Sequence, residues 1–181
     1  MMSYWRTHQD SRNCAILADW GNDYGSQDLL GMEGARDIDQ SKLRFRFDKQ
    51  RPLPIGDFAP TAKPGVLFAR REIFDLFGSI ILQSRHKFYT AKTDKYDLEI
   101  YVPMEEVDGF DFLRSNYEKY QFDGGDISRI FDLKLKEGFS TDLDLFRLRD
   151  PFVARFDIIF SDKFKDTYES NKLTGLRFAA A

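Results

Sequence analysis

Two histidines and one cysteine are all the imidazole and thiol chemistry this sequence offers. One Cys and two His cannot build an ordinary structural zinc site. His86 stands in Ser84-Arg85-His86-Lys87. To act as a general base it would need a carboxylate such as Asp97 or Glu99 folded against it. A lone imidazole between two cations reads instead as a surface or hydrogen-bonding residue, and His8, in a polar terminal stretch, is a weaker candidate still. Asp123-Gly124-Gly125-Asp126 and Asp142-Leu143-Asp144 carry the oxygen ligands that hard cations take, but neither extends into a calcium-loop pattern with a distal Glu. They read as turn and strand surface. The glycine patterns that cradle nucleotide phosphates and the nucleophile-elbow pattern are both missing. The expectation is a chain with no catalytic residues, no metal and no cofactor.

Charge carries more. Residues 42–87 hold ten Lys/Arg and four Asp/Glu, a net of +6, whereas residues 94–150 hold eight and fifteen, a net of -7. The formal total of -3 hides these opposite blocks and speaks of partners rather than fold. Within the basic block, Arg44, Arg46, Lys49, Arg51 and Lys63 interleave with Phe45 and Phe47. Binding of single-stranded nucleic acid would need those rings exposed for stacking. The alternation points them inward, so no nucleic-acid partner is expected.

The elements that must position these residues follow from periodicity. Leu43-Arg44-Phe45-Arg46-Phe47-Asp48 alternates strictly, as do the runs at 97–102, 130–136 and 155–160. Each reads as a half-buried strand. Cys14 to Trp20 is read as a short helix, and the segment holding Pro52, Pro54, Pro60 and Pro64 as a loop over the surface. Arg70–Phe77 reads as a helix stopped by Gly78, and Ser161 as the N-cap of a helix reaching about Lys172. Leu173-Thr174-Gly175 should break that helix, and Leu176-Arg177-Phe178 should return as an edge strand. Phe131, Leu133, Leu135, Phe156, Ile158, Phe160, Phe164 and Tyr168 are the expected core. Strands that outnumber helices without alternating with long ones point to an α+β fold, a mostly antiparallel sheet with short helices packed on it, in a single domain.

A chain of 181 residues, 42% hydrophobic and 31% charged, fits one such domain with a buried core. Eighteen Phe and eight Tyr make that core aromatic. No stretch approaches a membrane span, and the N-terminus has no apolar signal region, so the expected setting is the cytoplasm, with no membrane partner.

Several short motifs occur in a recognisable order. Val66-Leu67-Phe68-Ala69-Arg70-Arg71 opens a helix, a strand follows at Tyr96–Val102, and then comes Val107-Asp108-Gly109-Phe110-Asp111-Phe112-Leu113-Arg114-Ser115. Phe146-Arg147-Leu148, Ile158-Ile159-Phe160-Ser161-Asp162-Lys163-Phe164-Lys165 and Leu173-Thr174-Gly175-Leu176-Arg177-Phe178 complete the series. Over about residues 66–178 this resembles bacterial immunity proteins of polymorphic-toxin systems, a group first described only as a domain of unknown function. Asn171-Lys172 departs from the Ala-Gly that group often carries there, and residues 1–65 match nothing in it, so they form an unassigned polar region of the same domain. The resemblance implies a cytoplasmic protein that neutralises a cognate toxin by binding it. Two alternatives stand beside it, a small enzyme built on His86 and an adaptor of a secretion apparatus.

For an immunity protein the acidic block is the expected toxin-binding surface, as a plug for a cationic cleft. The candidates are Asp94, Asp97, Glu99, Tyr101, Glu105, Glu106, Asp123 and Asp126. Asp97, Glu99 and Tyr101 are read as the outward face of one strand, a stripe with an aromatic anchor.

Overall fold

The strict alternation at Leu43–Phe47 holds in the structure, where a short strand ends the run: Leu43, Phe45 and Phe47 are buried and Arg44 and Arg46 face solvent. The computed structural model that shows this describes residues 3–21, 23–50, 52–121 and 125–181. Along the chain come β1 (Tyr4–Gln9), β2 (Leu17–Asp19), α1 (Ser26–Leu30), β3 (Phe45–Phe47), β4 (Leu67–Ala69), α2 (Arg71–Asp75) and α3 (Gly78–Ile81). They are followed by β5 (His86–Ala91), β6 (Leu98–Pro103), β7 (Glu106–Val107), β8 (Asn116–Lys119), β9 (Ile127–Asp132) and β10 (Leu145–Leu148). A 3-10 turn at Phe152–Phe156, β11 (Ile158–Ser161), α4 (Asp162–Ser170) and β12 (Leu176–Ala180) complete the chain. The fold is α+β, and among the described residues the named strands pair antiparallel except where β7 joins β10 in parallel.

Among the described residues the strands form four sheets rather than one. The runs near 97–102, 130–136 and 155–160 fall in three different sheets: β4-β6-β5, β8-β9 and β12-β1-β11-β10-β7. Two of these sheets are covered on both faces. Leu98, Ile100 and Val102 of β6 pack with Phe45, Phe68 and Leu29 in one cluster, while Tyr101 of the same strand packs with Phe58, Phe74 and Phe160 in a second. Phe160 and Ile158 of β11 belong to that second cluster, and Ile159 joins Tyr4, Phe110 and Phe146 in a third. The layers therefore run cluster, sheet, cluster, sheet, cluster, and a strand buried on both sides loses its polar alternation.

This layering corrects several expectations. Phe156 lies in the 3-10 turn before β11 and is only half-buried. Phe131 is 52% exposed: β9 ends at Asp132 and buries Ile130, and the inward pattern resumes at Leu133 and Leu135 only after two outward residues. A break of one residue in an alternating run moves a side chain to the other face. The remaining expected core residues, Leu133, Leu135, Ile158, Phe160, Phe164 and Tyr168, are buried. Leu17–Asp19 pairs with β3 instead of forming a helix, because strand pairing outweighs a weak local propensity. Leu67–Ala69 is a strand, the helix after it opens at Arg71, and Gly78 begins α3 rather than ending the segment. The proline-rich segment does not stay on the surface, since Phe58, Ala59 and Pro60 are buried.

Residues before 66 are woven into the rest. β1 lies between β11 and β12 in the five-stranded sheet. The Gly56–Phe58 loop is clipped onto Leu173-Thr174-Gly175: Phe58 N donates to Thr174 O at 3.0 Å, and Asp57 accepts from Thr174 N and Oγ1 at 2.9 and 2.8 Å. Gly175 has φ +102, and a Cβ there would sit 1.8 Å from the Phe58 carbonyl oxygen. Only glycine allows this backbone approach.

Candidate functional site

Glu99 and Tyr101 share one face of β6, whereas Asp97 lies just before the strand, and that face is not free. Tyr101 is fully buried, its hydroxyl 3.3 Å from both Ser84 Oγ and Ile81 O, and burial pushes it up to about 12. It cannot serve as an exposed anchor. α2 and α3 cover this end of the sheet, which the alternation of a single strand does not reveal. Asp97 pairs with Lys92 at 3.0 Å, and Glu99 accepts from Thr90 Oγ1 at 3.5 Å. Asp94 accepts the Phe47 N–H at 3.0 Å and so caps β3.

The two glutamates after Pro103 are likewise engaged. Glu105 pairs with Arg85 at 3.0 Å, and the Arg85 hydrogen bond holds its carboxyl below the usual range. Glu106 pairs at 3.2 Å with Arg147, a buried cation. Asp123 lies outside the described residues. Asp126 is exposed, has no side-chain partner among the described residues, and lines a groove. Of the expected plug residues that are described, Asp126 joins this groove.

That groove has a volume of about 590 Å³ and lies between the β8–β9 hairpin and the Asp150–Phe156 segment. Phe112, Tyr120 and Phe152 contribute rings to it, and Asp126 and Asp150 contribute carboxylates. Phe112 is held outward by the turn before β8. Asp111 accepts the N–H groups of Leu113 and Arg114 at 2.9 and 3.0 Å, and Ser115 Oγ accepts Lys134 N at 2.9 Å. Asp111 bonds its own turn, as short polar side chains do, while Ser115 ties that turn to the segment after β9. Asp108 instead pairs with Lys136 at 2.8 Å. The rings were not legible as site residues in the sequence. The available signal was Phe112-Leu113 directly after a turn-forming Asp, where neither can alternate into a core.

The other candidates resolve into framework. His86 stacks on Tyr101 at 5.6 Å, and its Nδ1 lies 2.8 Å from Ser84 O. Thr90, not His86, opposes Glu99, which puts His86 four residues, roughly 13 Å, along the strand from it. The His86–carboxylate pair does not form. Asp144 is buried, accepting from Ser161 Oγ at 2.6 Å and Lys163 Nζ at 3.0 Å. Ser161 thus caps α4 by position while its hydroxyl serves Asp144. A second cleft, of about 300 Å³, is lined by His8 and Asp157. Burial pushes the Asp157 carboxyl up against the pull of Arg6, which stands 3.0 Å away, and burial likewise lowers His8, with Arg6 adding to it. No group of three or more potential ligands suited to a metal ion occurs among the described residues.

Comparison with protein-family models and with curated proteins returns no match. No helix among the described residues is long and apolar enough to cross a membrane.

Proposed function

We propose that this chain is an immunity protein that binds and neutralises a cognate antibacterial toxin in the cytoplasm of the producing cell, by occlusion rather than catalysis. The observation that carries this reading is the gathering of exposed apolar side chains on the part of the fold around the groove. Phe112 is 48% exposed, Phe152 61% and Leu113 97%. Elsewhere in the chain most rings are buried, and exposed patches of this kind mark interaction sites. The sequence motifs that prompted the resemblance support it from the other side. Asp111, Ser115, Ser161 and Gly175 all hold the framework together, as expected of a shared scaffold with a private binding surface.

Co-expression with the toxin encoded beside this gene tests the reading. Growth should be restored and the two proteins should co-purify. Growth arrest that continues unrelieved, with no complex recovered, would overturn it.

A further inference from the structure

We infer that the groove between the β8–β9 hairpin and the Asp150–Phe156 segment receives a cationic, arginine- or lysine-bearing segment of the protein partner. This rests on the reading of the chain as a partner-binding protein and names what the partner presents. The argument starts from the carboxylates. Asp126 and Asp150 are exposed on the groove and have no side-chain partner among the described residues. Asp108, Asp111 and Asp132, by contrast, are paired with Lys136, Arg114 and Lys134. An apolar or acidic occupant would desolvate the two free carboxylates without compensation, whereas a guanidinium or ammonium would pair them.

The rings point the same way. Arg155 lies 5.9 Å from the Phe152 centroid and Arg129 5.1 Å from that of Phe131. Exposed rings at this end therefore already take guanidinium groups on their faces, which is the favourable geometry of a cation over a π-system. A cationic side chain entering the groove meets carboxylates and the rings of Phe112, Tyr120 and Phe152 together, while its aliphatic stem covers apolar surface. About 590 Å³ accommodates two or three side chains rather than a whole domain. The net charge of -7 over residues 94–150 would steer such a segment inward.

Nuclear magnetic resonance of the full chain tests this with two probes, the peptide Gly-Arg-Trp-Arg-Gly and its counterpart with Glu in place of Arg. The basic peptide should shift the amide resonances of Ile127, Ser128, Phe152 and Val153, with an effect that fades as salt is raised. The acidic peptide should leave them in place. Asp126→Lys with Asp150→Lys should abolish the shifts without lowering the melting temperature, since both positions are exposed. The same double variant should bind the neighbouring toxin roughly tenfold more weakly at low salt.

Equal response to both peptides, or shifts confined to other parts of the fold, would overturn the inference. Toxin that binds the wild-type chain and the double variant equally would overturn it too, while leaving the immunity reading intact. If the basic peptide binds in the groove but the toxin does not bind at all, the immunity reading fails and the groove assignment stands. A dimer of the free chain that the double variant breaks apart would make the occupant a second copy and sink the proposal.

Discussion

Phenylalanines from two regions of this molecule have opposite fates. Around α4, Phe164 stacks on Phe77 at 4.3 Å and meets Phe160 at 4.2 Å, with Phe58 and Tyr168 close by. Phe58, Phe77, Phe160 and Phe164 are sealed from solvent because two sheets, three helices and an N-terminal loop close around them. At the groove Phe112 and Phe152, and beside it Phe131, keep about half their surface in water, and none of the three is sealed by a second layer among the described residues. Residue type is the same in both places. What differs is whether a second element arrives to cover the ring, so one region carries stability and the other is left available for binding.

The largest effect that can break this comparison is in the sealed region. Phe160→Ala should cost ~3–5 kcal/mol by emptying a ring-sized space that its neighbours cannot fill. Chemical denaturation measures it, and a loss below about 1 kcal/mol would show that the region is not close-packed. Gly175→Ala comes next at ~2–4 kcal/mol, because φ +102 and the Phe58 carbonyl both reject a Cβ. Asp144→Ala should cost about 1–3 kcal/mol by leaving Ser161 and Lys163 without their shared acceptor. Unfolding curves of that variant with and without Ser161→Ala would show whether the two residues couple.

Carboxylates repeat the contrast. Asp28 is buried against Arg36, which donates to it at 2.9 Å, and that hydrogen bond lowers its pKa to about 2 from 3.8. A folded value below the unfolded one means that the unfolded chain takes up the proton first as pH falls. The stabilisation from Asp28 is therefore full above pH 3.8 and is lost as pH drops towards 2. Asp28→Asn should flatten that part of the stability profile, and an unchanged acid limb would refute the pairing. The smallest effect belongs to the exposed rings: Phe152→Ala in the groove and Phe131→Ala beside it should each move stability by no more than about 0.5 kcal/mol. If Phe152→Ala behaves like Phe160→Ala, the two regions are not distinct.

Where the chain's local pattern and its neighbours agree, the structure was legible in advance. Leu43, Phe45 and Phe47 face inward, α4 begins after Ser161, and Leu176–Ala180 returns along β1 as an edge strand. The acidic stripe was legible only in part. Alternation correctly put Glu99 and Tyr101 on one side of β6, yet that side meets a second core that buries the ring. The groove was not legible, because its rings come from segments about forty residues apart, at Phe112 and Phe152.

By itself the sequence determined the α+β class, the inward face of β3, the place where α4 starts and the separation of basic from acidic blocks. All of these rest on short-range periodicity, backbone preference or counting. Tertiary structure alone decided that Tyr101 is core and Phe131 is surface, that Phe58 enters the aromatic cluster through Gly175, and that Asp126 faces Asp150's groove while Glu105 and Glu106 are paired. The physical reason is that a repeating pattern tells which side of an element a residue occupies. Whether that side is covered, paired or left open depends on elements far away in the chain.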